Sequence, residues 1–176
     1  MILITAPHSL CKDNDIKTHE CDIIAGDMAK RLYKKLKSNN IDVQLFVSTE
    51  RRIDCDLNRI KCRNTSYRKN VTKYMKMKPI FLFDIHSFPN SYKQLPMYIL
   101  DDYIEQPENY SINLFHYLKN NGINAELYQG IDNDIEDEAR SFNIKSILIE
   151  FNESLTNSER NYIIEVLYDW IVNYLF

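Results

Sequence analysis

Short apolar runs alternate with amphipathic stretches along almost the whole chain. Ile2 to Ala6 reads as a first buried strand, followed by a polar loop from His8 to His19. From Asp22 to about Ser38, the residues Ile23, Ile24, Met28, Leu32, Tyr33 and Leu36 fall on one helical face. Asp22 suits the N-cap of that helix, and Asn39-Asn40 its end. Val43 to Val47 predicts a second strand. A charged stretch from Glu50 to Asp56 then leads into a more polar helix over about Leu57 to Met77.

Pro79 opens the next strand, whose apolar run Ile80 to Phe83 continues into Asp84 and His86. Pro96 precedes a shorter strand, Met97 to Leu100. A helix is expected over Glu108 to Asn120 and closed by Gly122, and Ala125 to Tyr128 reads as extended. Asp134 to Phe142 predicts a short helix, Ser146 to Phe151 a last strand, and Thr156 to Leu175 a closing amphipathic helix. Thr156 or Asn157 can cap it, and Glu159 suits a capping box with Thr156. Strands alternating with helices predict one three-layer α/β domain, its mainly parallel mixed sheet covered by helices on both faces. There is no repeat, low-complexity tract or linker.

Composition changes this picture little. At 176 residues the chain matches one domain with a sizeable core. With 22 basic and 25 acidic residues, a formal net charge of −3, it has no basic excess to suggest a nucleic-acid partner. No apolar run is long enough to span a bilayer, and the N-terminus lacks a signal-peptide pattern. The four cysteines, Cys11, Cys21, Cys55 and Cys62, form no CxxC pair and are expected as reduced thiols. A cytoplasmic protein is the corresponding expectation, with its oligomeric state open.

Candidate chemistry concentrates at strand ends. The chain has four histidines, and two of them, His8 and His86, each stand where an apolar strand runs out into polar residues. Strand ends of an open α/β sheet gather ligands and catalytic groups, and His is the commonest protein metal ligand. A zinc site with one open position needs a third ligand. His19, Glu20 and Asp22 are the candidates, and Glu20 is favoured because Asp22 has a competing role as helix cap. A thiolate from Cys11 or Cys21 is the main alternative to Glu20. Manganese, cobalt or iron also suits such a donor set.

Asp84 lies two residues before His86, so both side chains emerge on one face, where Asp84 can support the site. Asp22, Asp56 and Ser87 are further supporting candidates. Glu150, ending the last apolar strand, is either buried at a cost or opens into the same crevice, where it suits proton transfer. Arg51, Arg52, Asp54, Asp56, Asn58, Arg59, Arg63 and Arg68 form a dense polar cluster. Near a metal site it offers a clamp for an anionic substrate group; alone it reads as a solvated helix face. His116 lies in an apolar helical pattern and reads as structural.

The strings Pro7-His8-Ser9, Asp56-Leu57-Asn58-Arg59 and Asp84-Ile85-His86-Ser87 resemble the N-formylglutamate amidohydrolase family, within the zinc carboxypeptidase and amidohydrolase group. Asp-Leu-Asn-Arg also resembles the substrate-carboxylate motif of aspartoacylase-like enzymes. Glu20-Cys21-Asp22 and Ile149-Glu150-Phe151-Asn152 look similar to stretches of the zinc N-acetylmuramoyl-L-alanine amidases. The resemblance implies a zinc-exopeptidase-like or phosphorylase/hydrolase-like fold and one zinc ion held by His8, Glu20 and His86. It further implies Glu150 as proton shuttle, Asn58 and Arg59 on the substrate carboxylate, and Arg52 or Arg51 polarising the scissile carbonyl. The implied substrate is a carboxylate-bearing N-acyl or peptide-like amide, small or a short peptide. A peptidoglycan amidase, and a binding protein that keeps the fold without catalysis, are the alternatives.

Overall fold

Strand β1, Ile2–Ala6, is buried at every position because it lies inside the sheet, with a parallel neighbour on each side. Such a strand has no solvent face, which is why its sequence is a continuous apolar run. The computed structural model describes residues 1–92, 95–101, 110–129 and 133–176. Among them the chain forms a six-stranded mixed sheet and six α-helices. Strand β2 is Val43–Val47, β3 Phe81–Phe88, β4 Met97–Asp101, β5 Ala125–Gln129 and β6 Lys145–Asn152. Their order across the sheet is β2-β1-β3-β6-β4-β5. β4 runs antiparallel to β6 and parallel to β5, so the last two strands oppose the other four.

The two faces have separate cores. On one, helices α2 (Ala25–Ser38), α4 (Tyr110–Asn120) and α6 (Asn157–Leu175) pack over Ile2, Ile4, Phe81, Phe83, Ile85, Ile147 and Ile149. On the other, α3 (Ser66–Met75) and α5 (Asp134–Ser141) pack over Leu3 and Leu82. The period-2 alternation within β1 and β3 deals successive side chains to the two faces. The closing helix has the expected capping box, with Thr156 accepting the N–H of Glu159 and Glu159 accepting that of Thr156. No helix among the described residues is long and apolar enough to cross a membrane.

Four expectations need correction. The segment expected as a loop after His8 contains a short helix, α1, Asp13–Thr18. Asp22 does not cap α2: Ile24 holds that position, and the N–H groups of Ile23 and Ile24 donate to Glu153 Oε1, just past β6, and to Ser87 Oγ in β3. The long polar helix after Asp56 shrinks to a 3-10 turn at Ile60–Cys62 and to α3, capped by Thr65. The cysteines are not thiols: Cys11 pairs with Cys21 and Cys55 with Cys62. The second disulfide, with the Asn58 N–H donating to Asp56 Oδ1, holds residues 55–62 in turns. The expected start of α4 at Glu108 lies outside the described residues.

Candidate metal centre

His86 sits in β3 directly across from Glu150 in β6, and His8 follows the end of β1, the other neighbour of β3. Parallel pairing therefore brings two imidazoles and a carboxylate to one sheet end. Gly26 allows the first turn of α2 to approach the His8 loop, since a Cβ there would lie 2.9 Å from Ser9 Cβ. The Asp22 N–H donates to His8 C=O at 3.0 Å, which fixes Asp22 beside His8.

The buried His8, Asp22 and His86 form one group whose ligand atoms all lie within 4.8 Å of one another. Asp22 Oδ2 is 2.8 Å from His86 Nδ1 and 3.5 Å from His8 Nδ1. Each ring gives its other nitrogen to a carboxylate: His8 Nε2 lies 2.8 Å from Asp56 Oδ1, and His86 Nε2 lies 3.1 Å from Asp84 Oδ2. Such outer carboxylates fix the ring orientation and tautomer of metal-ligating histidines. His8 Nδ1 is buried with no hydrogen-bond partner, and it faces the space between the three groups. Two imidazole nitrogens, one of them with an orphaned buried lone pair, and one carboxylate fit zinc with an open position.

Burial opposes charge on Asp22, but hydrogen bonds and positive charge from His8 and His86 prevail and hold its carboxyl well below the usual range. The same balance lowers Asp56, through His8, the Asn58 N–H and Arg52. Asp84 is fully buried, yet His86, Thr5 and Asn133 hold it ionised: Thr5 Oγ1 donates at 2.6 Å and Asn133 Nδ2 at 2.7 Å. For His86, burial works against charge, but Asp84 and Asp22 overcome it and raise its pKa. The pocket is thus built to hold positive charge. Glu150 behaves oppositely. Burial raises its pKa, with a smaller push from Asp22, against the pull of His86, His8 and Arg52.

The cleft above these groups, about 330 Å³, is lined by His8, Asp22, His86, Glu150, Arg52 and Arg59, among others. Glu20, favoured as third ligand, lies neither in the donor group nor in the cleft lining. Because α2 starts at Ala25 with Ile24 as cap, Asp22 has no capping duty, and its backbone bond to His8 aims it inward. The alternative thiolate is also removed, since Cys11 and Cys21 are bonded to each other. Arg51 is drawn elsewhere, its Nε donating at 2.9 Å to the buried Asp15. Asn58 turns its amide to His86, 2.9 Å from Nε2, rather than outward. Ser87 accepts the Ile24 N–H and donates to Glu153, bracing α2 against β3. Arg52 and Arg59 do reach the cleft, each 3.6 Å from Asp56 Oδ2.

Asn133, like Thr5, is a participant that sequence reasoning missed. It is fully buried, caps α5 by accepting the N–H groups of Ile135 and Glu136, and donates to Asp84. Its position before an acidic helix start advertises the cap but not the reach to Asp84.

No family model matches this sequence, and no curated protein does. Solved structures do match along nearly the full chain. The gene product Atu2144 of Agrobacterium tumefaciens superimposes with a TM-score of 0.76 at 12% identity, covering 98% of this chain and 89% of that one. The N-acetylmuramyl-L-alanine amidase Ami1 of Mycobacterium smegmatis gives 0.62 at 12% identity, over 99% and 95%. A pyrrolidone carboxyl peptidase of Thermococcus litoralis gives 0.57 at 11% identity, over 99% and 94%. At such identities the likeness is one of fold, and the formylglutamate resemblance stands on its short motifs alone. The chain folds as one α/β domain of the architecture seen in these amidases and this peptidase.

Proposed function

We propose that the protein is a zinc-dependent amidohydrolase acting on an amide whose amine half carries a carboxylate. The observation that carries this reading is the convergence of two buried, carboxylate-backed histidines on Asp22, with Glu150 the cross-strand neighbour of His86. His8, Asp22 and His86 would hold the ion. Zinc there supplies Lewis acidity for the scissile carbonyl and lowers the pKa of water towards ~7.

Asp56 and Asp84 keep the two rings turned so that their Nδ1 atoms face Asp22. Glu150 takes a proton from the attacking water and delivers it to the leaving nitrogen. The acyl carbon gains the water oxygen, the C–N bond breaks, and the amine leaves with the proton. Arg52 and Arg59, both in the cleft, bind the substrate carboxylate. Neither nucleic acid nor membrane enters this scheme, and the paired cysteines suit an oxidising compartment better than the cytoplasm. A second reading, cleavage of a peptidoglycan amide, draws support from the near full-length fold match to an N-acetylmuramyl-L-alanine amidase.

The test is metal analysis of protein purified without chelator or histidine tag, followed by a panel of N-acyl glutamates and muramoyl peptides. About one zinc per chain, lost in His86→Ala, is the expected result. The panel then decides the substrate. Protein that retains no metal and takes none up sinks the hydrolase reading and leaves a binding protein on the same fold.

A further inference from the structure

On the face that carries α3 and α5, no helix among the described residues packs over the sheet beyond Glu150. In register, His86 lies opposite Glu150 and Glu150 opposite Tyr98, so these three side chains share a face. Leu148, Leu100 and Tyr128 form the next row on that face. The core built there by α3 and α5 includes no residue of β4 or β5 among the described residues. What remains is a groove of about 380 Å³ lined by Phe88, Tyr92, Tyr98, Leu100, Tyr128 and Glu150.

Phe88, Tyr92 and Glu150 also line the metal cleft, so the two spaces adjoin across these side chains. The Phe88 and Tyr98 ring centroids are 4.5 Å apart and those of Tyr98 and Tyr128 5.3 Å, which makes an unbroken aromatic wall. The combined space is therefore polarised. Arg52 and Arg59 belong to its metal-cleft part alone, and the aromatic wall extends from the far side of Glu150.

We propose that this groove is the acyl-side subsite of the amide substrate and that it takes an aromatic ring. The proposal rests on the amidohydrolase reading and on its placement of the carboxylate half against Arg52 and Arg59. The two halves of an amide leave the scissile carbon in opposite directions. With one half on the arginines, the other passes Glu150 and lies over β4 and β5. Those two strands add about 10 Å of sheet width, enough for a ring on a short stem. A formyl or acetyl group would leave the groove to water.

The lining favours an arene over a sugar. Of the six described side chains that line it, five are aromatic or aliphatic, the carboxylate is the proton carrier, and the Tyr128 hydroxyl already donates to Glu126. An arene stacks edge-to-face on Tyr98 and Tyr128 without needing hydrogen-bond partners. Hydrolysis of such a substrate joins the water oxygen to the arylacyl carbon. The C–N bond breaks, releasing an arylalkanoate and an amino acid whose nitrogen takes the proton that Glu150 removed from the water.

Two measurements test this. The first compares kcat/KM for N-phenylacetyl-L-glutamate and N-formyl-L-glutamate. The arylacyl substrate should lead by about tenfold or more, and Tyr128→Ala should cut that ratio by about tenfold. The second needs no turnover: 3-phenylpropionate, but not acetate, should shift the backbone amide resonances of Tyr98, Leu100 and Tyr128, and Leu100→Trp should abolish the shifts by filling the groove. Equal kcat/KM values with no amide shifts overturn the subsite while leaving the hydrolase intact. Amide shifts without hydrolysis of either substrate support an arene-binding groove and overturn its role as the acyl subsite of an acyl-glutamate hydrolase. If a muramoyl probe moves these amides and 3-phenylpropionate does not, the groove is a sugar platform and the arene proposal falls.

Discussion

Asp22→Asn should empty the metal centre, while Glu20→Gln should leave about one zinc per chain. Among the described residues, Asp22 supplies the carboxylate oxygen grouped with both inward-facing imidazole nitrogens, and replacing it by a neutral amide removes the anionic donor without changing side-chain size. The loss should exceed the roughly 10- to 100-fold fall in affinity that follows removal of an outer partner, which is the effect expected for Asp56→Asn or Asp84→Asn. Titration against a chelating dye orders all four variants. Retention of full affinity by Asp22→Asn, with loss in Glu20→Gln, would return the third-ligand role to Glu20.

Glu150→Gln should keep its metal and lose about 10²- to 10⁴-fold in kcat. The amide matches the carboxylate in shape but accepts no proton. The pH profile gives a second readout. Burial holds the Glu150 carboxyl above its ordinary range, and a base works only once deprotonated. Activity should therefore rise with pH through the Glu150 value, and in stripped protein that carboxyl should titrate above the ~4.3 of a free glutamate. A cation between His8 and His86 draws that value back down, so metal-loaded protein should show it lower than a titration of stripped protein does. Wild-type activity in the Gln variant would exclude Glu150 as the base.

Local chemistry and tertiary choice divide what can be read from the chain. The apolar runs of β1, β2 and β6 and the capping box of α6 are visible because each depends on neighbours in sequence. His8, His86 and Glu150 stand out for the same reason, as polar residues at the ends of apolar runs. Asp22 and Glu20 are two residues apart and chemically alike. The backbone bond from Asp22 to His8 and the start of α2 at Ala25, which free Asp22 and aim it inward, exist only in the fold. Arg51, reading as part of an anion clamp, is claimed by Asp15 across 36 positions, and Asn58 by His86 across 28. The disulfides are hidden similarly, because spacings of 10 and 7 residues carry no motif.

Cys21 immediately precedes Asp22, and Cys55 immediately precedes Asp56, so each disulfide anchors the backbone beside one of the two carboxylates that flank the His8 ring. Where ligands assemble only on folding, losing the metal and losing the structure are one event. Here covalent links hold the carboxylates in place beforehand, and a chelator should yield a folded, empty protein that reloads on adding zinc. A thiol reductant should have the complementary effect, leaving the sheet intact but loosening both grips on His8, so that zinc affinity falls after reduction and recovers on reoxidation. Unchanged affinity would confine the disulfides to general stability. If both results hold, the affinity of the site for zinc is set in part by the redox potential around the protein.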